Sequence, residues 1–197
     1  MKNRSVIRAK TNIPIKQTSN ITGWGSAVRI AGVFGYIAAA VVIIGAFTQD
    51  LLATEIELAD VVIVKKAERR IYLVTDQQVL KSFNISLGLI PDGDKIQEGD
   101  FKTPEGHYEL TERNGDSDFF LSIQISYPNR LDEERAAKLG VSPGGRIMVH
   151  GQPNKPRYSR AYYGNYDWTD GCIALSNADM MDLWRMTTAN TPIYIFP

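Results

Sequence analysis

Beyond residue 60 the apolar residues come in short β-rich runs, broken every few positions by charge, glycine or proline. Val61 to Lys65, Arg70 to Thr75 and Val79 to Leu87 are dense in Val, Ile, Tyr and Phe, side chains that suit a pleated, half-buried surface. Lys66-Ala67-Glu68-Arg69 and Asp76-Gln77-Gln78 lie between them as hairpin turns, so the three runs predict a β-meander. Further strands are expected at His107 to Thr111, Phe119 to Ser126, Arg146 to His150 and Pro192 to Phe196. The pattern turns helical at Leu131 to Leu139, which ends at the stop residue Gly140, and at Ala178 to Thr187. The second helix opens on Ser176-Asn177-Ala178-Asp179, a capping-box-like S-x-x-D, and its Met181, Leu183, Trp184 and Met186 are expected in the core. Close strand spacing with few, late helices predicts a mainly β sandwich or distorted barrel with helices packed on it.

A different pattern occupies Ile30 to Gln49, twenty residues without a charge. At helical rise such a segment spans about 30 Å, the hydrocarbon thickness of a bilayer, so one N-terminal transmembrane helix is expected. Charge changes the picture here. The chain of 197 residues has 22 basic and 22 acidic groups, yet residues 1–29 hold six basic residues and no acid, while Asp50, Glu55, Glu57 and Asp60 follow the apolar run. The positive-inside rule then makes 1–29 a cytoplasmic leader, 30–49 a signal-anchor in the inner membrane, 50–58 a linker, and 59–197 a domain on the periplasmic side. A cleaved signal peptide, with Ala46-Phe47-Thr48 as a weak cleavage-like site, is the rival. The exported part is acidic overall, the wrong sign for a nucleic-acid partner.

Candidate chemistry concentrates in the stretch from His150 to Ser176, which holds the only cysteine, Cys172, and one of the two histidines. A thiol attacks a carbonyl as thiolate, and an adjacent imidazole that takes its proton gives the attacking ion pair. Gly171 before Cys172 lets backbone approach a substrate and leaves the amides of Gly171 and Cys172 as oxyanion donors. Gly151 beside His150 offers a carbonyl to the ring's other nitrogen, fixing a tautomer, with Asp167 and Asp170 as other possible orienters. The competing reading is a buried, inert core cysteine. Between base and thiol lie Arg157, Arg160, Tyr158, Tyr162, Tyr163, Tyr166 and Trp168, a composition suited to clamping a carboxylate-bearing peptide. Leu89 to Gly106 is rich in turn formers and acids but lacks the calcium-loop pattern, and His107 has no ligand set around it, so no metal is expected.

His150-Gly151, then Thr169-Asp170-Gly171-Cys172-Ile173, resembles the catalytic motif of the L,D-transpeptidase (YkuD-type) family. The resemblance extends through Gly99 to Gly106, Ile125-Ser126-Tyr127-Pro128-Asn129 and Pro143 to Val149, covering residues 59 to 197. Asp170 stands where many members have a second histidine, and Ala174 where many have Arg or Asn. The resemblance implies a β-sandwich-like catalytic domain that needs no cofactor and acts on the stem peptides of peptidoglycan. It implies Cys172 as nucleophile, His150 as base, and a thioester formed as the terminal D-alanine leaves. Tyr127, Arg157, Arg160, Thr169 and Asp170 are the expected substrate-binding residues. The acceptor is left open between a stem amine, an envelope lipoprotein and water. A carboxypeptidase or amidase using the same residues and a non-catalytic peptidoglycan-binding module are the alternatives.

Overall fold

The structure, a computed structural model, describes residues 55–197. The expected leader and transmembrane segment lie outside the described residues, among which no helix is long and apolar enough to cross a membrane.

Among the described residues eight strands and three helices follow in the order β1 (Val61–Lys65), β2 (Arg70–Thr75), β3 (Gln78–Asn84), β4 (Gly106–Ser117), β5 (Phe120–Ile125), α1 (Arg130–Leu139), β6 (Met148–His150), α2 (Arg160–Asn165), β7 (Ile173–Ala174), α3 (Asn177–Met186) and β8 (Pro192–Phe196). They form one mixed sheet in the order β3-β2-β1-β8-β4-β5-β6-β7, as a mainly β chain should. The meander supplies β1 to β3, and β8 runs parallel to β1 and antiparallel to β4. Beyond β3 the chain returns to the far edge. Ser86 and Ala174 exchange amide bonds of 2.8 and 2.9 Å, and Gly88 bridges Thr169. The sheet thus curls until its two edges meet, a distorted barrel in which neither of those edges is left bare at that point.

Alternation sets the core. In β8, Ile193 and Ile195 point inward while Tyr194 and Phe196 face out, and Val62, Val64, Ile71, Leu73, Ile123 and Ile125 complete the interior. Each such side chain contributes about 1.5–3 kcal/mol by leaving water. The helix α3 closes the core with Met180 and Leu183, so Met180 is buried where the sequence pointed to Met181. Trp184 is only half-buried, its ring covered by the Arg113 guanidinium at 4.1 Å. Capping places both longer helices. Asn129 accepts from the Leu131 and Asp132 amides and Asp132 returns the bond, while Gly140 ends α1 at φ 68°. Ser176 caps α3 by accepting from the Asp179 amide.

Some boundaries differ from expectation. The strand β4 runs on to Ser117 through a polar stretch, because its partner β5 holds it across bulged register. The strand β6 starts only at Met148, Arg146 having a positive φ of 53° that breaks the extended run. The loop from Leu89 to Gly106 is tied down: the buried Lys66 ammonium donates to the Gly93 and Thr103 carbonyls and to Glu105 at 2.7–2.9 Å, and Lys95 pairs with Asp100 at 2.8 Å.

Candidate active site

Thiol and imidazole are brought together by the shortest strands. The parallel pair β6–β7 sets Val149 opposite Ile173 and His150 opposite Ala174. One residue earlier, Cys172 lies beside Met148, so alternation turns the Cys172 and His150 side chains to the same face of the sheet. Both line a cleft of about 400 Å³ whose walls include Phe119, Ser122, Arg146, Trp168, Thr169 and Asp170.

The turn before Cys172 is held by Thr169. Its hydroxyl accepts from the Gly171 amide at 3.2 Å and donates to the Cys172 carbonyl at 2.7 Å. Gly171 has a φ of 129°, and a Cβ there would stand 2.6 Å from the Lys102 carbonyl oxygen, so conformation and space both demand glycine. Gly88 packs against the same turn, where a Cβ would meet the Phe101 carbonyl at 2.1 Å. The tied-down loop is therefore the floor under the thiol.

His150 is 4 % exposed. Its Nδ1 lies 2.7 Å from the Gly151 carbonyl oxygen, an atom that only accepts, so Nδ1 carries the proton and Nε2 is the free base. The ring is caged by Phe119, with centroids 4.6 Å apart, and by Trp168 at 5.6 Å. Burial in this cage pushes its pKa down to about 4, against a smaller upward pull from the Gly151 carbonyl. Burial also pushes the Cys172 thiol up, with the Met148 amide opposing, the Asp170 charge adding to the rise, and Lys95 opposing. Burial thus disfavours the charged form of each group. The sequence pointed to a standing thiolate–imidazolium pair; desolvation of both partners instead favours a neutral thiol beside a neutral imidazole.

The other expected site residues separate. Asp170 is exposed on the cleft wall. Thr169 lines the cleft but is buried and spends its hydroxyl on the turn. Arg157 lines an adjoining cavity of about 460 Å³, shared with Lys155, Tyr158, Tyr162 and Tyr163, and divided from the first by Phe119 and Trp168, which border both. Arg160 is exposed at the start of α2 and lines neither cavity. Tyr127 is a correction: it is a core residue, stacked edge-on against Tyr108 with its hydroxyl donated to the Pro143 carbonyl at 2.9 Å.

Arg146, Ser122 and Phe119 were not singled out by sequence reasoning. Arg146 is the cation on the cleft wall, and its carbonyl lies 3.9 Å from the Cys172 sulfur. Ser122 reaches the cleft because β5–β6 register sets it opposite His150. Its only sequence signal is a serine at an alternating strand position. Asp167, a possible orienter of His150 on sequence, instead pairs with Arg69 at 2.9 Å and accepts the Leu87 amide at 2.8 Å, holding the segment that carries Trp168. Among the described residues no cluster of His, Cys, Asp and Glu is arranged to hold a metal.

Residues 59–195 match the family model described as the L,D-transpeptidase catalytic domain, YkuD. YafK of Escherichia coli K12, which carries a provisional L,D-transpeptidase name, is 26 % identical over 171 residues, covering 82 % of this chain and 58 % of that protein. The crystal structure of Pgp2 from Campylobacter jejuni, described as a helical cell shape determining protein, is 30 % identical with a TM-score of 0.51, over 68 % of this chain and 46 % of that one. Its K307A mutant aligns at 28 % identity with a TM-score of 0.52. The chain thus spans about half the length of these relatives. With nearly the whole described region matched, and the strands that carry His150 and Cys172 inside the match, the chain belongs to the L,D-transpeptidase family of YkuD catalytic domains.

Proposed function

We propose that this protein is a peptidoglycan L,D-transpeptidase-type cysteine acyltransferase acting on tetrapeptide stems through a Cys172 thioester. The observation that carries the reading is a thiol and an imidazole sharing one cleft within a YkuD domain, the imidazole oriented by the Gly151 carbonyl. The stem binds with the carbonyl of its third residue at Cys172. As sulfur bonds to the carbonyl carbon, the thiol proton passes to His150 Nε2, so the charged pair exists only while the reaction needs it. The Cys172 amide receives the oxyanion. The Gly171 amide, engaged by the Thr169 hydroxyl, stiffens the turn instead. Collapse expels the amine of D-alanine, which takes the proton from His150 and leaves the thioester. An acceptor amine or water then attacks, gives a proton to His150, and releases the thiol.

Arg146 on the cleft wall and Arg157 in the adjoining cavity are the proposed carboxylate partners of the stem. The likeness to Pgp2, a cell shape determining protein, supports an envelope substrate. A stem amine as acceptor gives a cross-link, a lipoprotein amine gives an anchor, and water gives trimming to a tripeptide. We place the enzyme at the inner membrane through residues 30–49, facing the periplasm. Incubation of the full chain with a diamino-acid tetrapeptide, alone and with a second stem, tests the reading. Free D-alanine with a dimer or a tripeptide is expected; no product from a folded chain would sink it. Fractionation of cells holding an N-terminally tagged chain tests the anchor, and a soluble, shortened form would contradict it.

A further inference from the structure

We propose that Asn177 is a positioning residue for His150, acting through the peptide unit that joins Gly151 to Gln152; the inference rests on the reading of His150 as the base. In a trans peptide unit the C=O and N–H groups lie in one plane and point opposite ways, so a single rotation sets the direction of both. The carbonyl end of this unit faces His150 Nδ1 at 2.7 Å. Its N–H end donates to Asn177 Oδ1 at 2.8 Å. Holding one end aims the other.

Asn177 itself is exposed, but the neighbouring backbone bears on the unit from both sides. On its upstream side the Gly151 amide is shared between the Phe119 and Leu121 carbonyls at 3.0 and 3.1 Å, so β5 and the residue before it fix the preceding peptide plane. A Cβ at Gly151 would stand 2.7 Å from Asn177 Oδ1, which shows how closely the amide side chain presses on this turn. Asn177 is the first residue of α3, but Ser176 caps that helix, so the Asn177 side chain is free for another task. The helix itself is anchored by Met180 and Leu183 in the core. A rigid element therefore sets the carbonyl that sets the tautomer. Only the tautomer with the proton on Nδ1 leaves Nε2 able to accept from a thiol.

The test uses the full chain carrying 15N-labelled histidine, in which His107 and His150 are the only two histidine signals and a His107→Gln variant assigns them. Wild-type His150 is expected to show a protonated Nδ1 and a bare Nε2. Asn177→Ala should move the ring nitrogens toward a mixture of tautomers, and Asn177→Asp, which keeps an acceptor, should restore the wild-type pattern. With a stem peptide, Asn177→Ala should lower kcat by about tenfold or more, as a misplaced tautomer does, with KM little changed, and Asn177→Asp should recover most of it. Losing the carbonyl also removes the upward pull on the imidazole, so the acid limb of the rate profile should move to lower pH. If Asn177→Ala does not fold, Asn177→Leu removes the acceptor while keeping the bulk and is judged by the same signals. An unchanged tautomer in a folded variant, or a wild-type ring protonated on Nε2, would overturn the proposal. Because the tautomer is read without substrate, failure to turn over any stem would count against the catalytic reading and leave this result to stand or fall by the ring nitrogens.

Discussion

A half-buried thiol and a buried imidazole each resist becoming charged, and Cys172 and His150 share that condition on one cleft wall. The pair is protected from idle reaction until a substrate supplies the carbonyl that makes proton transfer worthwhile. Alkylation of Cys172 by a small neutral reagent should therefore be slow at mildly acidic pH and should keep rising above the ordinary thiol range. Rates measured against pH that level off already below neutrality would contradict this. The two residues were legible in the sequence because both types are rare and each adjoins a glycine. Their resting charge was not, since it depends on Phe119 and Trp168, which reach His150 only through the packing of distant segments. Tyr127 shows the converse: it lies within a family-like stretch of the sequence, yet it is committed to the core by its contacts with Tyr108 and Pro143.

At the scale of elements, the segment that carries Trp168 hangs on Asp167. This carboxylate accepts the Leu87 amide and pairs with Arg69, so removing it leaves the amide of buried Leu87 without that acceptor and Arg69 with only the Lys66 carbonyl. Asp167→Ala should cost about 1–2 kcal/mol, most of it local. Hydrogen exchange is the measurement, and faster exchange at Leu87 and Trp168 with little change in β1 is the expected result. Equal loosening throughout would refute the local role. The strands of the meander and both longer helices were legible from apolar runs and capping residues. The helix α2 was not, for its six residues hold two tyrosines and a glycine, poor helix formers, and a Ser159 cap with local aromatic packing maintains it. The strand β7 has two residues and exists through its pairing with β6 and the bridge from Ala174 to Ser86, partners that no local pattern discloses.

For the molecule as a whole, burial of His150 couples folding to pH. Its folded pKa of about 4 lies below the ordinary 6.5, so between these values the unfolded chain binds a proton that the folded chain does not. Stability then rises with pH through this window, and is lost as pH falls from about 6.5 to 4, by about 3 kcal/mol from this group. Tm recorded across the window should fall with acid, and a folded His150→Gln variant should fall less; parallel curves would exclude His150 as the cause. The barrel's closure, through Ser86 and Ala174, was the part of the fold least visible beforehand, because a bridge between residues so far apart leaves no periodic trace. That closure carries β7 to β6, and with it Cys172 to the cleft that His150 lines. On the proposed reaction path this thiol forms an acyl-enzyme. Intact-mass spectrometry of the full chain after mixing with a diamino-acid tetrapeptide stem measures it most directly. A mass increase equal to the stem without its terminal D-alanine is expected, located on Cys172 and absent in Cys172→Ala. An adduct that persists in Cys172→Ala, or D-alanine released with no involvement of Cys172, would contradict it.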